Sequence, residues 1–139
     1  MNLQLYFPKP HETQRPFFTI PIAAGQAQPV EQIIEWINID EYVRSSTDST
    51  YYLRVNGDSM EEKGIYHGDL LVVARREYAE NGDVVIAEIN GDFTVKRLNQ
   101  ETKTDLYLVP ANGKYPKRKI KRSDSFAVWG VVTHIIHKL

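Results

Sequence analysis

Ser59 is the first residue of the chain whose local setting is suited to chemistry. It lies in GDSMEE, residues 57–62, directly after the strand pattern of residues 51–55. A serine at a strand-to-helix turn is exposed, and free backbone N–H groups there could bind an oxyanion. The same spacing also fits a capping box, in which Ser59 and Glu62 satisfy the N-terminus of a short helical turn. The motif alone leaves both interpretations open.

Lys96 is the second candidate and lies beside Arg97 in a predicted strand, residues 92–98. Adjacent strand residues point to opposite faces, so one of these two cations points inward if one face packs on a core. Burial lowers the pKa of a lysine, and a neutral lysine can act as a general base, whereas arginine stays protonated. A lysine that reaches solvent or forms an ion pair is the structural alternative.

Other catalytic and metal-binding chemistry finds little support in the sequence. The histidines are His11, His67, His134 and His137, and the last two are three residues apart in what we expect to be a strand. Such residues project to opposite faces and cannot bind one metal ion together. Cysteine is absent, which excludes disulfides, thiolate catalysis and Cys-ligated zinc, and no glycine-rich phosphate loop is present. We therefore expect neither a metal nor a cofactor.

The composition is that of one globular domain. The 139 residues are 42% hydrophobic and 25% charged, with a formal net charge of −1. This excludes disordered, collagen-like and coiled-coil proteins and gives no global attraction to nucleic acid or membrane. No segment approaches the roughly 20 apolar residues of a membrane helix, and residues 1–10 do not resemble a signal peptide. We expect a cytoplasmic protein with no membrane anchor.

The elements that must position Ser59 and Lys96 are predicted to be strands. Strand patterns occupy residues 51–55, 69–74, 83–89, 92–98, 106–109 and 126–136. Residues 30–43 give a mixed signal, with a helical stripe over 30–37 and a pattern that suits a short strand over 36–39. Asn90 and Gly91 form the strongest short hairpin signal, because a type I′ turn needs two positive φ angles. The connections are too short for crossover helices. The fold class is therefore mostly β, with a compact, largely antiparallel body.

The first 30 residues differ from this body. They contain five of the seven prolines and the uncharged segment 22–28, which predicts a flexible N-terminal arm. Charge is also uneven, since residues 31–62 carry a net −6 and residues 96–122 a net +7. Five of the six residues 117–122 are cationic. Such a run is typical of a solvated hairpin edge, or of a contact with nucleic acid or a protein partner.

Together these motifs resemble the LexA-type family of self-cleaving Ser/Lys proteins, and especially its UmuD branch, which acts in SOS mutagenesis. The resemblance extends from about Ala24 to the C-terminus. Its ordered motifs are GDSM at 57–60, GI at 64–65, GDLL at 68–71, GDVV at 82–85, FTVKRL at 93–98 and VWGVVTH at 128–134.

The resemblance implies roles for individual residues. Ser59 is the expected nucleophile and Lys96 its general base, and the backbone N–H groups of Asp58 and Ser59 would bind the oxyanion. The family cuts its own chain between a small residue and glycine, which here implies the Ala24–Gly25 bond. Residues 1–24 would then be a cleavable arm and residues 25–139 a Ser/Lys peptidase-like body.

The resemblance also implies partners. It predicts a homodimer whose self-cleavage is stimulated by a RecA-type filament on single-stranded DNA. The product would be the active accessory subunit of an error-prone translesion DNA polymerase. LexA and phage repressors carry a helix-turn-helix before the cleavage site, but the 24 residues before Gly25 are too few and too rich in proline for one. We therefore expect no sequence-specific DNA binding.

Two other function classes remain open. One is a non-catalytic dimeric interaction module that regulates a polymerase or repressor, although the retention of Ser59, Lys96 and Ala24-Gly25 argues against it. The other is a leader peptidase, which uses similar chemistry but needs a membrane anchor that the sequence does not indicate.

Overall fold

The structure, a computed structural model, describes residues 13–18 and 34–139. The chain divides between Val43 and Arg44 into two compact units. In the first unit, strands β1 (Arg15–Phe18) and β2 (Ile34–Ile37) pair antiparallel. The sequence did not predict β1, which tolerates Pro16 because a two-stranded sheet leaves each strand one unpaired edge.

Within its described part, the ambiguous segment 30–43 forms a strand at Ile34–Ile37, where the pattern also fitted a helical stripe, and a helix only from Ile39 onward. β2 is followed at once by the short helix α1 (Ile39–Val43). Asn38 causes the change, because its Oδ1 accepts a hydrogen bond of 3.1 Å from the N–H of Glu41. This is the geometry of a helix N-cap.

The second unit is built on one antiparallel sheet of seven strands, which confirms the predicted fold class. The strands lie in the order β3-β4-β9-β5-β6-β7-β8. Their bounds are β3 (Thr50–Arg54), β4 (Leu70–Ala74), β5 (Val84–Ile89), β6 (Asp92–Gln100), β7 (Leu106–Val109), β8 (Arg118–Lys119) and β9 (Phe126–Ile136). All six predicted strands are present, and β8, within the cationic run, is the addition.

The predicted hairpin is confirmed and sets the register that places Lys96. Asn90 and Gly91 have φ angles of 50° and 87°, and they connect β5 to β6 with Ile89 opposite Asp92. Counting back along both strands puts Lys96 opposite Val85, which is fully buried. The turn chemistry thus places the basic residue beside the core.

The core forms two clusters on this sheet. One contains Ile86 of β5 and the other its neighbours Val85 and Ala87, as expected when successive strand residues face opposite sides. The Ile86 cluster also takes in Met60 and Ile65, which are 2% and 1% exposed. These two side chains anchor the turn that carries Ser59. No helix in the described part of the chain is long and apolar enough to cross a membrane.

Candidate active site

Ser59 lies in a tight turn between β3 and a 3₁₀ helix, Glu61–Lys63. Gly57 allows the turn, since its φ of 111° lies in a region that side-chain-bearing residues rarely adopt. The Gly57 N–H donates a hydrogen bond of 3.2 Å to His67 Nδ1, so the turn is tied to the segment that leads into β4. Ser59 is half-buried, less accessible than the motif suggested.

The capping box suggested by the sequence does not form, so that interpretation was wrong. The 3₁₀ helix has no side-chain hydrogen bond at its N-terminus. The N–H of Glu62 donates instead to the carbonyl of Ala111 at 2.7 Å, and Glu62 Oε1 accepts from the N–H of Gly113 at 3.0 Å. The hydroxyl of Ser59 is therefore not used to cap the helix.

The side-chain amine of Lys96 lies within hydrogen-bond distance of the Ser59 hydroxyl. Its Nζ lies 2.8 Å from Ser59 Oγ, 2.8 Å from Thr94 Oγ1 and 3.1 Å from the carbonyl oxygen of Val95. Burial lowers the pKa of Lys96, because the charged amine loses solvation there. A neutral amine has two N–H donors and one lone pair. It can donate to Thr94 and Val95 and accept the proton of Ser59.

A cleft of about 260 Å³ opens beside these groups. Its polar lining residues are Arg54, Asn56, Ser59, Thr94 and Lys96, and most of its other lining residues are apolar. The apolar wall consists of Leu53, Val55, Met60, Ile65, Ile86, Phe93 and Val95. Apolar walls strengthen the electrostatic interactions of a reacting group by excluding water. The cleft therefore suits an extended chain whose reacting carbonyl lies beside Ser59 and Lys96.

Two backbone N–H groups at the Ser59 turn are available as hydrogen-bond donors. No described residue accepts a hydrogen bond from the N–H of Asp58 or of Ser59. These are the two groups that the sequence analysis assigned to an oxyanion. Free N–H groups at a tight turn can bind a developing negative charge.

The loop of residues 111–115, which sequence reasoning missed, holds this turn. Asn112 Nδ2 donates to the carbonyl of Asp58 at 2.9 Å, and the Ala111 N–H donates to the carbonyl of Ser59 at 2.7 Å. Tyr115 Oη donates to Asp58 Oδ1 at 2.5 Å, and this bond raises the pKa of Tyr115. The Asn112 and Tyr115 contacts join residues 54 and 57 positions apart, so no local pattern signals them.

Thr94 was also missed, although a local signal existed. It precedes Lys96 by two residues in β6, and residues two apart in a strand share a face. A hydroxyl at that spacing is within reach of the lysine amine.

The proposed scissile bond, Ala24–Gly25, lies outside the described residues, as does His11. His137 lies beyond the end of β9, so the argument that it and His134 share one strand was wrong. Its Nδ1 instead contacts the buried carboxylate of Asp69, which this contact helps to keep at a lowered pKa. Among the described residues no group of three or more His, Cys, Asp or Glu side chains could hold a metal.

Three of the five cations in the run 117–122 pair with carboxylates. Lys117 pairs with Glu101 at 2.8 Å and Lys119 with Asp105 at 2.7 Å. Arg118 lies 3.6 Å from Asp124. Since these pairs flank the terminal strand β8, they favour a solvated sheet edge over a surface dedicated to phosphate.

Known proteins resemble this chain over most of its length. The family model described as Peptidase S24-like matches residues 16–133. Protein ImpA of Salmonella typhimurium is 38% identical over 125 residues, which cover 89% of this chain and 84% of ImpA. Protein MucA of Escherichia coli is 40% identical over 121 residues, 86% of this chain and 82% of MucA. The LexA repressor of Clostridium acetobutylicum is 38% identical over 106 residues, 72% of this chain and 51% of the repressor.

Proposed function

This chain belongs to the peptidase S24-like family, within the UmuD branch of its LexA-type members, and we propose that it is an autocatalytic serine endopeptidase that cuts its own Ala24–Gly25 bond. The observation that carries the proposal is the 2.8 Å contact between Lys96 Nζ and Ser59 Oγ. A nucleophile and a base within hydrogen-bond reach are the minimum for this chemistry.

In the first step Ser59 attacks. Its Oγ bonds to the carbonyl carbon of Ala24 while its proton passes to the lone pair of neutral Lys96. The carbonyl oxygen becomes an oxyanion, which accepts hydrogen bonds from the N–H groups of Asp58 and Ser59. Each such donor is worth about 3 kcal/mol in other serine peptidases.

In the second step the C–N bond breaks. Protonated Lys96 gives its proton to the nitrogen of Gly25, which leaves as the new amino terminus of the body, residues 25–139. Water then attacks the ester on Ser59 while Lys96 takes one of its protons; the ester C–O bond breaks, and Lys96 returns the proton to Ser59 Oγ. Hydrolysis releases the arm, residues 1–24, with a new carboxylate at Ala24.

The cleavage segment suits a narrow site that works on its own chain. Ala24 and Gly25 have little side-chain bulk, and glycine permits unusual backbone angles. Attachment to the same chain or to a dimer partner supplies a high effective concentration of the bond. A site that is slow with free peptides can therefore still cut itself.

We assign this cleavage to the SOS response. A RecA-type filament on single-stranded DNA stimulates it, and the cleaved homodimer serves as the accessory subunit of an error-prone translesion polymerase. These partners require a cytoplasmic protein. We expect no operator recognition. Any DNA affinity should be weak, nonspecific and steeply salt-dependent.

A non-catalytic dimeric module is the competing function. Such a module has no need of a half-buried lysine beside a serine hydroxyl, because removing a charged amine from water destabilises a fold unless something compensates. A lysine with lowered pKa against a serine hydroxyl is instead what general-base catalysis requires. The site therefore favours the peptidase.

The test is the intact mass of the purified chain after incubation at raised pH, with and without a RecA filament. Wild type should lose residues 1–24. Ser59→Ala, Lys96→Ala and Lys96→Arg should each remain whole, since arginine cannot accept the proton. Gly25→Lys should also remain whole, because the bond can no longer enter the cleft.

An exposed serine and an exposed lysine elsewhere in the chain serve as controls. Ser46→Ala and Lys63→Ala should cleave at the wild-type rate. Release of the arm from Ser59→Ala, with contaminating protease excluded, would end the Ser/Lys assignment. A wild-type chain that stays whole even with the filament would favour the non-catalytic module.

A further inference from the structure

We propose that Asn112 is a positioning residue that aims the N–H of Ser59 at the oxyanion, through the carbonyl of Asp58. This inference rests on the proposed peptidase function. It concerns a side chain that belongs neither to the Ser59 turn nor to β6 and that is not among the residues lining the 260 Å³ cleft.

The argument begins with one peptide plane. The carbonyl of Asp58 and the N–H of Ser59 belong to the same peptide unit, and no cis peptide bond occurs in the described chain. In a planar trans peptide these two groups point in opposite directions. The bond of 2.9 Å from Asn112 Nδ2 holds the carbonyl on the side of the 111–115 loop. The Ser59 N–H is thereby directed away from that loop.

The next peptide plane is held in the same way. The N–H of Ala111 donates to the carbonyl of Ser59 at 2.7 Å, which fixes the plane that carries the N–H of Met60. Holding the planes on both sides of the Ser59 Cα fixes its φ and ψ. The direction of the Ser59 N–H relative to Oγ then becomes a property of the fold rather than of a freely rotating turn. Preorganised donors of this kind are effective because they need no rearrangement during the reaction.

Asn112 also affects the strength of the donor. A hydrogen bond to an amide carbonyl polarises the peptide unit, and hydrogen bonds in a chain strengthen one another. The Ser59 N–H should therefore bind an oxyanion better with the Asn112 bond in place than without it.

The two ends of the Asn112 amide have separable roles. Nδ2 contacts the Ser59 turn, whereas Oδ1 accepts a hydrogen bond of 3.0 Å from the N–H of Lys114 within its own loop. Aspartate has nearly the same shape and keeps an oxygen for Lys114, but it cannot donate to Asp58 when ionised. Asn112→Asp therefore removes the positioning bond and leaves the loop's internal bond.

The experiment measures the first-order rate of self-cleavage across pH in the full chain. The plateau rate at high pH depends on how well the site stabilises the oxyanion and positions the reacting groups. The midpoint of the rate profile depends on the titration of the base. Asn112→Ala and Asn112→Asp should both lower the plateau by about ten- to a hundredfold. Asn112→Ala should leave the midpoint in place, since it changes no charge near Lys96.

Tyr115→Phe is the matched control. It removes a bond from the same loop to the side chain of Asp58 but leaves the carbonyl of Asp58 on Asn112. Its plateau rate should fall by much less than that of either Asn112 variant, even if the chain becomes less stable. Wild-type plateaus for both Asn112 variants would overturn the positioning role while leaving the peptidase intact. Losses that merely follow stability, and that Tyr115→Phe shares, would overturn it as well.

Discussion

Thr94 and Lys96 lie two residues apart in β6, and Thr94 Oγ1 is 2.8 Å from Lys96 Nζ. This contact, with the carbonyl of Val95, takes two of the amine's hydrogen-bonding positions and leaves the third for Ser59. The strand that carries the proposed base thus also carries the groups that orient it.

Replacing Thr94 by valine should slow self-cleavage. Valine has the same shape but no acceptor, so the amine is no longer held toward Ser59. A hydrogen bond is worth about 1 kcal/mol, which corresponds to roughly a fivefold loss in the plateau rate. Thr94→Ser keeps the hydroxyl and should cleave nearly normally. Equal rates for valine and serine at this position would show that Thr94 does not orient the base.

The rate of self-cleavage should rise with pH and level off above the pKa of Lys96 in the folded chain. Burial lowers that pKa from its usual 10.5, and only the neutral amine accepts the Ser59 proton. The midpoint of the rate profile should therefore lie below 10.5. Intact-mass measurements over a pH series give this midpoint, and a rate that does not change with pH would rule out a lysine base.

The same burial predicts a pH-dependent stability. Between the lowered folded pKa and 10.5, the unfolded chain keeps a proton on Lys96 that the folded chain has lost. The free energy of unfolding must then rise with pH across this window. We expect Ser59→Ala to gain stability relative to the Ser59→Ala, Lys96→Met double variant as pH rises, measured by urea unfolding. A constant difference between the two would contradict a lowered pKa.

Gly130 should not tolerate a side chain. A Cβ there would lie 2.4 Å from Val73 Cγ1 and 2.9 Å from the carbonyl oxygen of Ala74, in the middle of the sheet. Gly130→Ala should destabilise the fold by about 3 kcal/mol in denaturant unfolding.

Gly113→Ala is the control for that substitution. The nearest atom to its Cβ would be Glu62 Oε1 at 3.8 Å, an ordinary contact. Its stability should stay within about 0.5 kcal/mol of wild type. If both alanine variants were equally stable, the close approach of β4 and β9 at Gly130 would be wrong.

The body of residues 25–139 should fold without the arm. All seven strands of the large sheet lie between Thr50 and Ile136, so removing residues 1–24 removes none of its strands. β2 loses its partner β1 in this truncation and should no longer be a strand. Circular dichroism should show a β-rich spectrum and one cooperative thermal transition. A disordered spectrum would contradict the proposed division into arm and body.

The sequence by itself determined the strands and the hairpin of this protein. The alternation of residues along the strands and the turn at Asn90-Gly91 are preferences of neighbouring residues. The large sheet forms as these preferences indicate, because burying apolar side chains on its two faces stabilises the same strands. Where two local preferences competed, the sequence pattern gave either no single prediction or a wrong one. Residues 30–43 fitted two elements, and Ser59 with Glu62 fitted a capping box that the 111–115 loop displaces by binding Glu62 itself.

The sequence paired Ser59 with Lys96 only through the family resemblance, and the tertiary structure decided the distances and the other groups around Ser59. Lys96 is 37 residues away in sequence and Asn112 is 54 residues from Asp58, so their contacts follow from strand register and loop closure. The lowered pKa of Lys96 likewise arises from the atoms that exclude water around its amine. Residue types and local spacing carry no information about such distances, because a contact between remote segments forms only after the whole sheet has brought them together.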